Sequence, residues 1–200
     1  MKKAHKKGFL KTNYGDDVTA KKGDSDISKD VISIKELRKM DEFQIKQAEV
    51  KEAFIFSYFT GLDCATLRTM TGKNIIEVDG KPHIRGQRTK NGVKFQNPLN
   101  KTCMKVLEKR IKDDAPLFDL PSSTTITKGL KNWTNAAEIK RHLTFHCARH
   151  SFGTNLIAAG TDLKSASVLM AHKGLREIEK YVKVVGKLKL KAIKKLPELY

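Results

Sequence analysis

The chain has 200 residues, with 40 Lys plus Arg against 22 Asp plus Glu and a formal charge of +18 at pH 7. A hydrophobic content of 39% can build a core and excludes wholesale disorder, and the length fits one generous domain or one domain with a trimmed neighbour. The basic excess favours a polyanionic partner, nucleic acid before a membrane surface.

Cys64, Cys103 and Cys147 are scattered and lack any Cys-x-x-Cys spacing. They read as reduced, mostly buried thiols of a cytosolic protein and not as a disulfide framework or zinc site. No apolar run reaches spanning length, and the Lys-rich N-terminus lacks the apolar stretch of a signal peptide, so a soluble intracellular protein is expected.

Residues 1–30 are basic, then polar, and are interrupted by Gly15 and Gly23; they read as a flexible lead-in or linker. Ser33-Ile34-Lys35-Glu36 has the Ser-x-x-Glu form of a capping box and predicts a helix start. Residues 47–59 predict a largely buried helix carrying Phe54, Phe56, Tyr58 and Phe59, and Gly61 supplies its stop. Without interleaved basic residues, these rings read as core and not as base-stacking groups. From residue 74 the pattern changes to that of strands. Residues 75–78 precede Asp79-Gly80, a good two-residue hairpin turn, and residues 83–88 form the second strand. A turn at Lys90-Asn91-Gly92 leads to a third strand over 93–96 that ends at Pro98. The prediction is a small three-stranded antiparallel sheet.

Residues 101–112 predict a helix with Cys103, Met104, Val106, Leu107 and Ile111 inward and lysines outward. A loop over 113–125 leads into a helix through Trp133 towards Ile139. Thr144 is a good N-cap for a helix over 145–159, with Phe152, Leu156 and Ile157 on its core face and Gly160 as its stop. Further helices are expected over 162–171 and 177–185. The last stretch, 187–199, places Leu188, Ile193, Leu196 and Leu199 on one side among lysines.

His146 and Arg149, spaced i, i+3, project from one face of their helix. Arg149 supplies a planar fork of donors suited to two oxygens of one phosphate. His172 and Tyr181 follow. In a strongly basic protein this set points to a phosphate clamp with a phenolic nucleophile. Each member alone has a structural explanation: a tyrosine on an amphipathic helix is usually a packing residue, His146 alone would be a hydrogen-bonded histidine, and His150 reads as structural. The spacing raises the set together.

His146-Cys147-Ala148-Arg149, then Leu169-Met170-Ala171-His172-Lys173-Gly174, then Tyr181 resemble the motifs of the tyrosine recombinase (phage integrase) family in order and interval. The resemblance covers about residues 32–196. It implies an α+β fold, mainly helical with a small three-stranded antiparallel sheet, as a catalytic domain over 31–200. Residues 1–30 would be a linker and the remnant of an upstream core-binding domain, whose end residues 4–9 resemble. The resemblance also implies roles. Tyr181 would be the nucleophile of a 3′-phosphotyrosyl intermediate, and Arg149 would bind the nonbridging oxygens. His146 would be a hydrogen-bond partner or general base, and His172 would donate to the phosphate. Lys90, on a mobile hairpin tip, would protonate the leaving 5′-hydroxyl, with no cofactor and no metal. Expected partners are double-stranded DNA, further copies of the chain as a tetramer on DNA, and accessory DNA-bending proteins, with no membrane. The expected location is cytoplasmic and nucleoid-associated, and the C-terminal segment would dock onto a neighbouring protomer.

One departure stands out. The family places an arginine directly after Thr-Gly-Leu and an acidic residue three positions later; here those positions hold Asp63 and Thr66. Three explanations compete: another cation such as Arg68 or Lys73 fills the hole, the loss is tolerated at a lower rate, or the protein is inactive. The reading is a site-specific recombinase, the integrase of a mobile element or prophage. The alternatives are a catalytically impaired DNA-binding regulator of recombination sites and a type IB topoisomerase.

Overall fold

The computed structural model describes residues 30–112 and 114–193, without the side chains of 191 and 192. The expected linker up to residue 29 and the end of the chain with Leu196 and Leu199 lie outside the described residues. The first described helix, α1 (Ile34–Asp41), begins at the expected capping box: Ser33 N donates to Glu36 Oε2 at 2.8 Å and Glu36 N to Ser33 Oγ at 3.2 Å. It lays Leu37 and Met40 against the core.

Helix α2 (Ala48–Thr60) is apolar on nearly every side and forms the centre of the molecule, with Val50, Ala53, Phe54, Phe56 and Tyr58 buried. Phe54 makes edge contacts with Trp133 and Phe145, and Phe56 packs on Phe118, so these rings belong to the core as predicted. Gly61 ends the helix in a left-handed conformation (φ 71°), and a Cβ there would lie 2.4 Å from the Phe152 ring. Only glycine meets both conditions. A single-turn helix α3 (Cys64–Leu67) follows, capped by Asp63.

The sheet has the order β1-β2-β3, all antiparallel, with β1 at Ile75–Val78, β2 at Lys81–Gln87 and β3 at Lys94–Pro98. Val78 pairs with Lys81 across Asp79 (φ 49°) and Gly80 (φ 69°), the two positive φ values of a tight hairpin turn. Gln87 pairs with Lys94, so Arg88 lies just past β2, at the base of the second turn and not inside the strand. Ile84 and Phe95 bury the inner face of the sheet.

Helix α4 (Lys101–Leu107) stops short of the predicted end at Lys112. The chain there turns back to run beside the segment after α3. Gly72 N donates to Ala115 O, Leu117 N donates to Met70 O, and a Cβ on Gly72 would meet the Lys112 carbonyl at 2.2 Å. Arg110 folds onto Glu49 and Glu52 of α2. This reversal corrects one expectation: Ile111 is 43% exposed, not inward.

Helix α5 (Ser123–Ala136) contributes Trp133, whose Nε1 donates to Met40 O at 2.6 Å. Helix α6 (Phe145–Ala158) starts after Thr144 as predicted and is packed between α2 and the last helix. Its fully buried residues are mostly small (Cys147, Ala148, Ser151, Gly153 and Thr154), together with Phe145 and Arg149. Phe152, Leu156 and Ile157, expected on the core face, flank a second, smaller cluster formed by Ala166, Met170, Ile178, Tyr181 and Val184. Helix α7 (Leu163–Leu169) is capped by Asp162, whose Oδ1 accepts Ser165 N at 2.9 Å. Helix α8 (Glu179–Ile193) is continuous through Gly186, where two separate segments were expected.

Gly61→Ala should destabilise the protein by about 2–4 kcal/mol, combining left-handed strain with overpacking of Phe152. Gly80→Ala, at a site with nothing within 4 Å of a Cβ, should lose only the strain of about 1–2 kcal/mol. Urea-unfolding midpoints of the two variants check the difference.

Candidate active site

Three junctions meet at the candidate site: the end of α2, the turn between β2 and β3, and the segment joining α7 to α8. Helix α6 runs through them. Arg149, 4% exposed, donates from Nη1 to Gly61 O and from Nη2 to Met170 O. Both carbonyls close helices, and a guanidinium suits the partial negative charge of helix C-termini. Burial, followed by the nearby Arg88 charge, lowers the Arg149 pKa to about 10.

His172 follows the left-handed Ala171 (φ 47°) and is buried. Its Nε2 lies 3.5 Å from Glu177 Oε2, and its Nδ1 is buried with no hydrogen-bond partner among the described residues. Burial and the charges of Arg149 and Arg88 push its pKa down to about 3, so the ring is neutral. It stacks on Tyr181, with ring centroids 6.4 Å apart and planes inclined by 14°.

Tyr181 is fully buried. A Cβ on Gly153 would lie 2.8 Å from its ring, so α6 and α8 approach this closely only because residue 153 is glycine. The Tyr181 hydroxyl lies 3.2 Å from His150 Nδ1, and Lys180 Nζ sits 5.1 Å from the ring centroid. Burial raises the Tyr181 pKa to about 12, although Arg149 and Arg88 act in the opposite direction. His150 is depressed to about 4, by burial first and then by Lys180. Lys180 itself is lowered by burial, Arg149, Lys90 and Arg88.

Arg149, His172 and Tyr181 therefore share one cluster. His146 lies in the first turn of α6, exposed, with its ring 6.3 Å from that of His150. Lys90 is exposed at the second turn, close enough for its charge to act on Lys180. That turn was expected to be mobile; Asn91 ties it to the site by donating from Nδ2 to Ala171 O at 3.0 Å.

Neither cation suggested as the substitute at position 63 reaches the cluster. Arg68 donates to Leu120 O and Pro121 O, and Lys73 pairs with Asp114. Asp63 instead faces Arg88, whose Nε donates to Asp63 Oδ2 at 2.9 Å. The sequence reading missed two residues of the site, Arg88 and His150. His150 adjoins Arg149 in the chain, a signal that was visible but read as structural. The contact of Arg88 with Asp63 spans β1 and β2 in the chain and has no local signature.

Residues 30–186 match the profile of the phage integrase family. The chain belongs to that family. A tyrosine recombinase of Thermosipho africanus is 27% identical over 163 residues, covering 78% of this chain and 56% of the relative. The tyrosine recombinase XerC of Rickettsia canadensis is 24% identical over 162 residues, covering 76% and 53%. The chain spans about half the length of these curated relatives. Among solved structures, a lambda integrase dimer bound to a COC′ core site matches with a TM-score of 0.69 at 19% identity, covering 100% of this chain and 72% of that one. The XerH site-specific recombinase bound to a palindromic difH substrate matches at 0.66 and 18%, covering 82% and 52%. This likeness is one of fold, and the fold is the predicted one: mainly helical with a three-stranded antiparallel sheet. Among the described residues, no helix is long and apolar enough to cross a membrane.

Buried His172 and half-buried His150 give this family member a specific acid sensitivity. His172 and His150 titrate below the ordinary value of 6.5 in the folded state, at about 3 and about 4. The unfolded chain therefore binds more protons between those values and 6.5, and stability present above pH 6.5 is lost as pH falls. The midpoint of urea unfolding should drop from pH 7 to pH 4, and His150→Asn should flatten that slope.

Proposed function

We propose that this chain is the catalytic part of a site-specific tyrosine recombinase that cuts and rejoins double-stranded DNA, in the service of a mobile element or prophage. The observation that carries the reading is the Tyr181 hydroxyl held against His150 Nδ1, beside the stacked His172 ring, in a cluster that also contains the Arg149 guanidinium. A DNA phosphodiester supplies the negative charge that this cluster of cations lacks. Family membership and the DNA complexes of the lambda and XerH proteins support the same reading.

In the proposed reaction the Tyr181 oxygen attacks phosphorus and the bond from phosphorus to the 5′-oxygen breaks. The phenolic proton passes to a neutral imidazole as the new bond forms. The geometry favours His150 over the exposed His146 for this step, which leaves His146 as a hydrogen-bond partner of the phosphate. Arg149 and His172 stabilise the charge that grows on the nonbridging oxygens. The leaving 5′-oxygen takes a proton from Lys90, next to the site on its tethered turn. The 3′-phosphotyrosyl bond conserves the energy of the original linkage, so another 5′-hydroxyl can attack it and release Tyr181. Tyr181 is buried in the described conformation, and its ring has to leave the packing against Gly153 before it meets a phosphate. The tetrameric assembly on DNA and accessory bending proteins belong to this proposal. The second reading, a DNA-bound regulator that does not cut, is favoured by Asp63 at the position of the family's arginine.

Nicked duplexes tiled across the DNA flanking the gene should trap a covalent protein–DNA adduct on denaturing gels. Tyr181→Phe should abolish the adduct while retaining salt-sensitive DNA binding, at a cost of about 1 kcal/mol in stability for the lost hydroxyl contact. Binding without any adduct, with a version extended to the length of the relatives also failing, would select the regulator.

A further inference from the structure

The ion pair between Asp63 and Arg88 is built more elaborately than a chance surface contact. Asp63 caps α3: its Oδ1 accepts Thr66 N at 3.0 Å and Thr66 Oγ1 at 2.9 Å, leaving Oδ2 for Arg88 Nε at 2.9 Å. Burial opposes ionisation of this carboxyl, but the hydrogen bonds from Thr66 and Arg88 outweigh it and its pKa is lowered. Arg88 is 7% exposed. Its backbone closes the base of the Lys90 turn, with Arg88 N donating to Val93 O at 2.9 Å and Gly92 N donating to Arg88 O at 2.8 Å. The Arg88 main chain is thus held by the turn and its guanidinium through Nε, and among the described residues its two Nη atoms make no hydrogen bond.

The charge of Arg88 acts on Arg149, His172, Lys180 and Tyr181. The carboxylates set against these cations are Asp63, already engaged by Arg88 Nε, and Glu177, beside His172. The charge of Arg88 disfavours that of Arg149, and an anion bound beside both would offset the repulsion. A purely structural ion pair needs only the Nε contact, and the two Nη donors remain available to a ligand.

We propose that Arg88 provides the phosphate-binding guanidinium that the family carries at the position of Asp63, and that Asp63 positions it through Nε so that both Nη donors meet the scissile phosphate. The acidic and basic partners have exchanged places in the chain: the cation now comes from the end of β2 and the carboxylate from the cap of α3. Thr66, at the position of the family's acidic residue, serves the cap by bonding Asp63. Arg88 touches substrate and is a catalytic residue; Asp63 is a positioning residue. This assignment rests on the recombinase reading of the same site.

The test measures adduct formation on the nicked flanking duplexes, together with inorganic phosphate binding followed through the NMR signal of the His172 ring. Arg88→Gln should slow adduct formation by about 100-fold or more, as loss of one charge-stabilising donor does elsewhere, and Arg88→Lys should recover part of that loss. Asp63→Arg alone should be slower than wild type, because two guanidiniums then face each other. The double variant Asp63→Arg/Arg88→Asp should regain at least about tenfold over either single change, a recovery that a merely structural pair would not produce in the rate. Circular dichroism melts confirm that each variant folds. Adduct formation by Arg88→Gln within about threefold of wild type would overturn the assignment and leave the recombinase reading standing. If neither wild type nor a version extended to the length of the relatives forms an adduct on any duplex, that reading fails and phosphate alone decides. Phosphate binding at His172 that weakens about tenfold in Arg88→Gln keeps the anion site, and unchanged binding removes it.

Discussion

The candidate site depends on burying one guanidinium between two helix ends. Arg149 donates to Gly61 at the close of α2 and to Met170 at the close of α7, so the most expensive group to remove from water is also the one that fastens three helices together. The arrangement needs close backbone approach on both sides of α6. Gly61 permits it against Phe152, and Gly153 permits it against Tyr181 and Met170. A single added methyl group at either place would push apart the elements that hold Arg149.

Once Arg149 is in place, the electrostatics follow from crowding. Arg88, Arg149, Lys180 and Lys90 act on one another, and burial keeps His150 and His172 neutral at ordinary pH. Neutral imidazoles next to guanidiniums can accept or share a proton without adding to the repulsion. The same burial holds the Tyr181 phenol in its protonated form, with its pKa at about 12. In the described conformation the proposed nucleophile, Tyr181, is sheltered from solvent with its hydroxyl against His150 Nδ1. An incoming phosphate would relieve the repulsion among the cations and the excess of unused donors in one step.

The sequence was legible where physics is local. The capping box at Ser33 and Glu36, the Asp79-Gly80 turn, the Gly61 stop and the Thr144 start all depend on residues within a few positions of one another, and all are found. Patterning also identified the rings of α2 as core. It failed where distant contacts overrule a helix's own preference. Ile111 was read inward from periodicity, but the crossing of Lys112 over Gly72 and the pull of Glu49 and Glu52 on Arg110 end α4 early. Separate segments were expected over 177–185 and 187–199, although the one glycine between them costs only about 1 kcal/mol inside a helix that packing holds.

The sequence by itself determined the family motifs, the element order and the identity of the anomaly, Asp63 after Thr60-Gly61-Leu62. Those are properties of spacing, and spacing survives in one dimension. Only the tertiary structure decided which residue answers Asp63. Arg68 and Lys73 are nearer along the chain, yet the first turns to Leu120 and Pro121 and the second to Asp114. Arg88 reaches Asp63 because the hairpin register ends β2 at Gln87 and folds the next residue back onto α3. The pairing of a buried charge is set by which elements pack together, and that information lies in the contacts and not in the order of the residues.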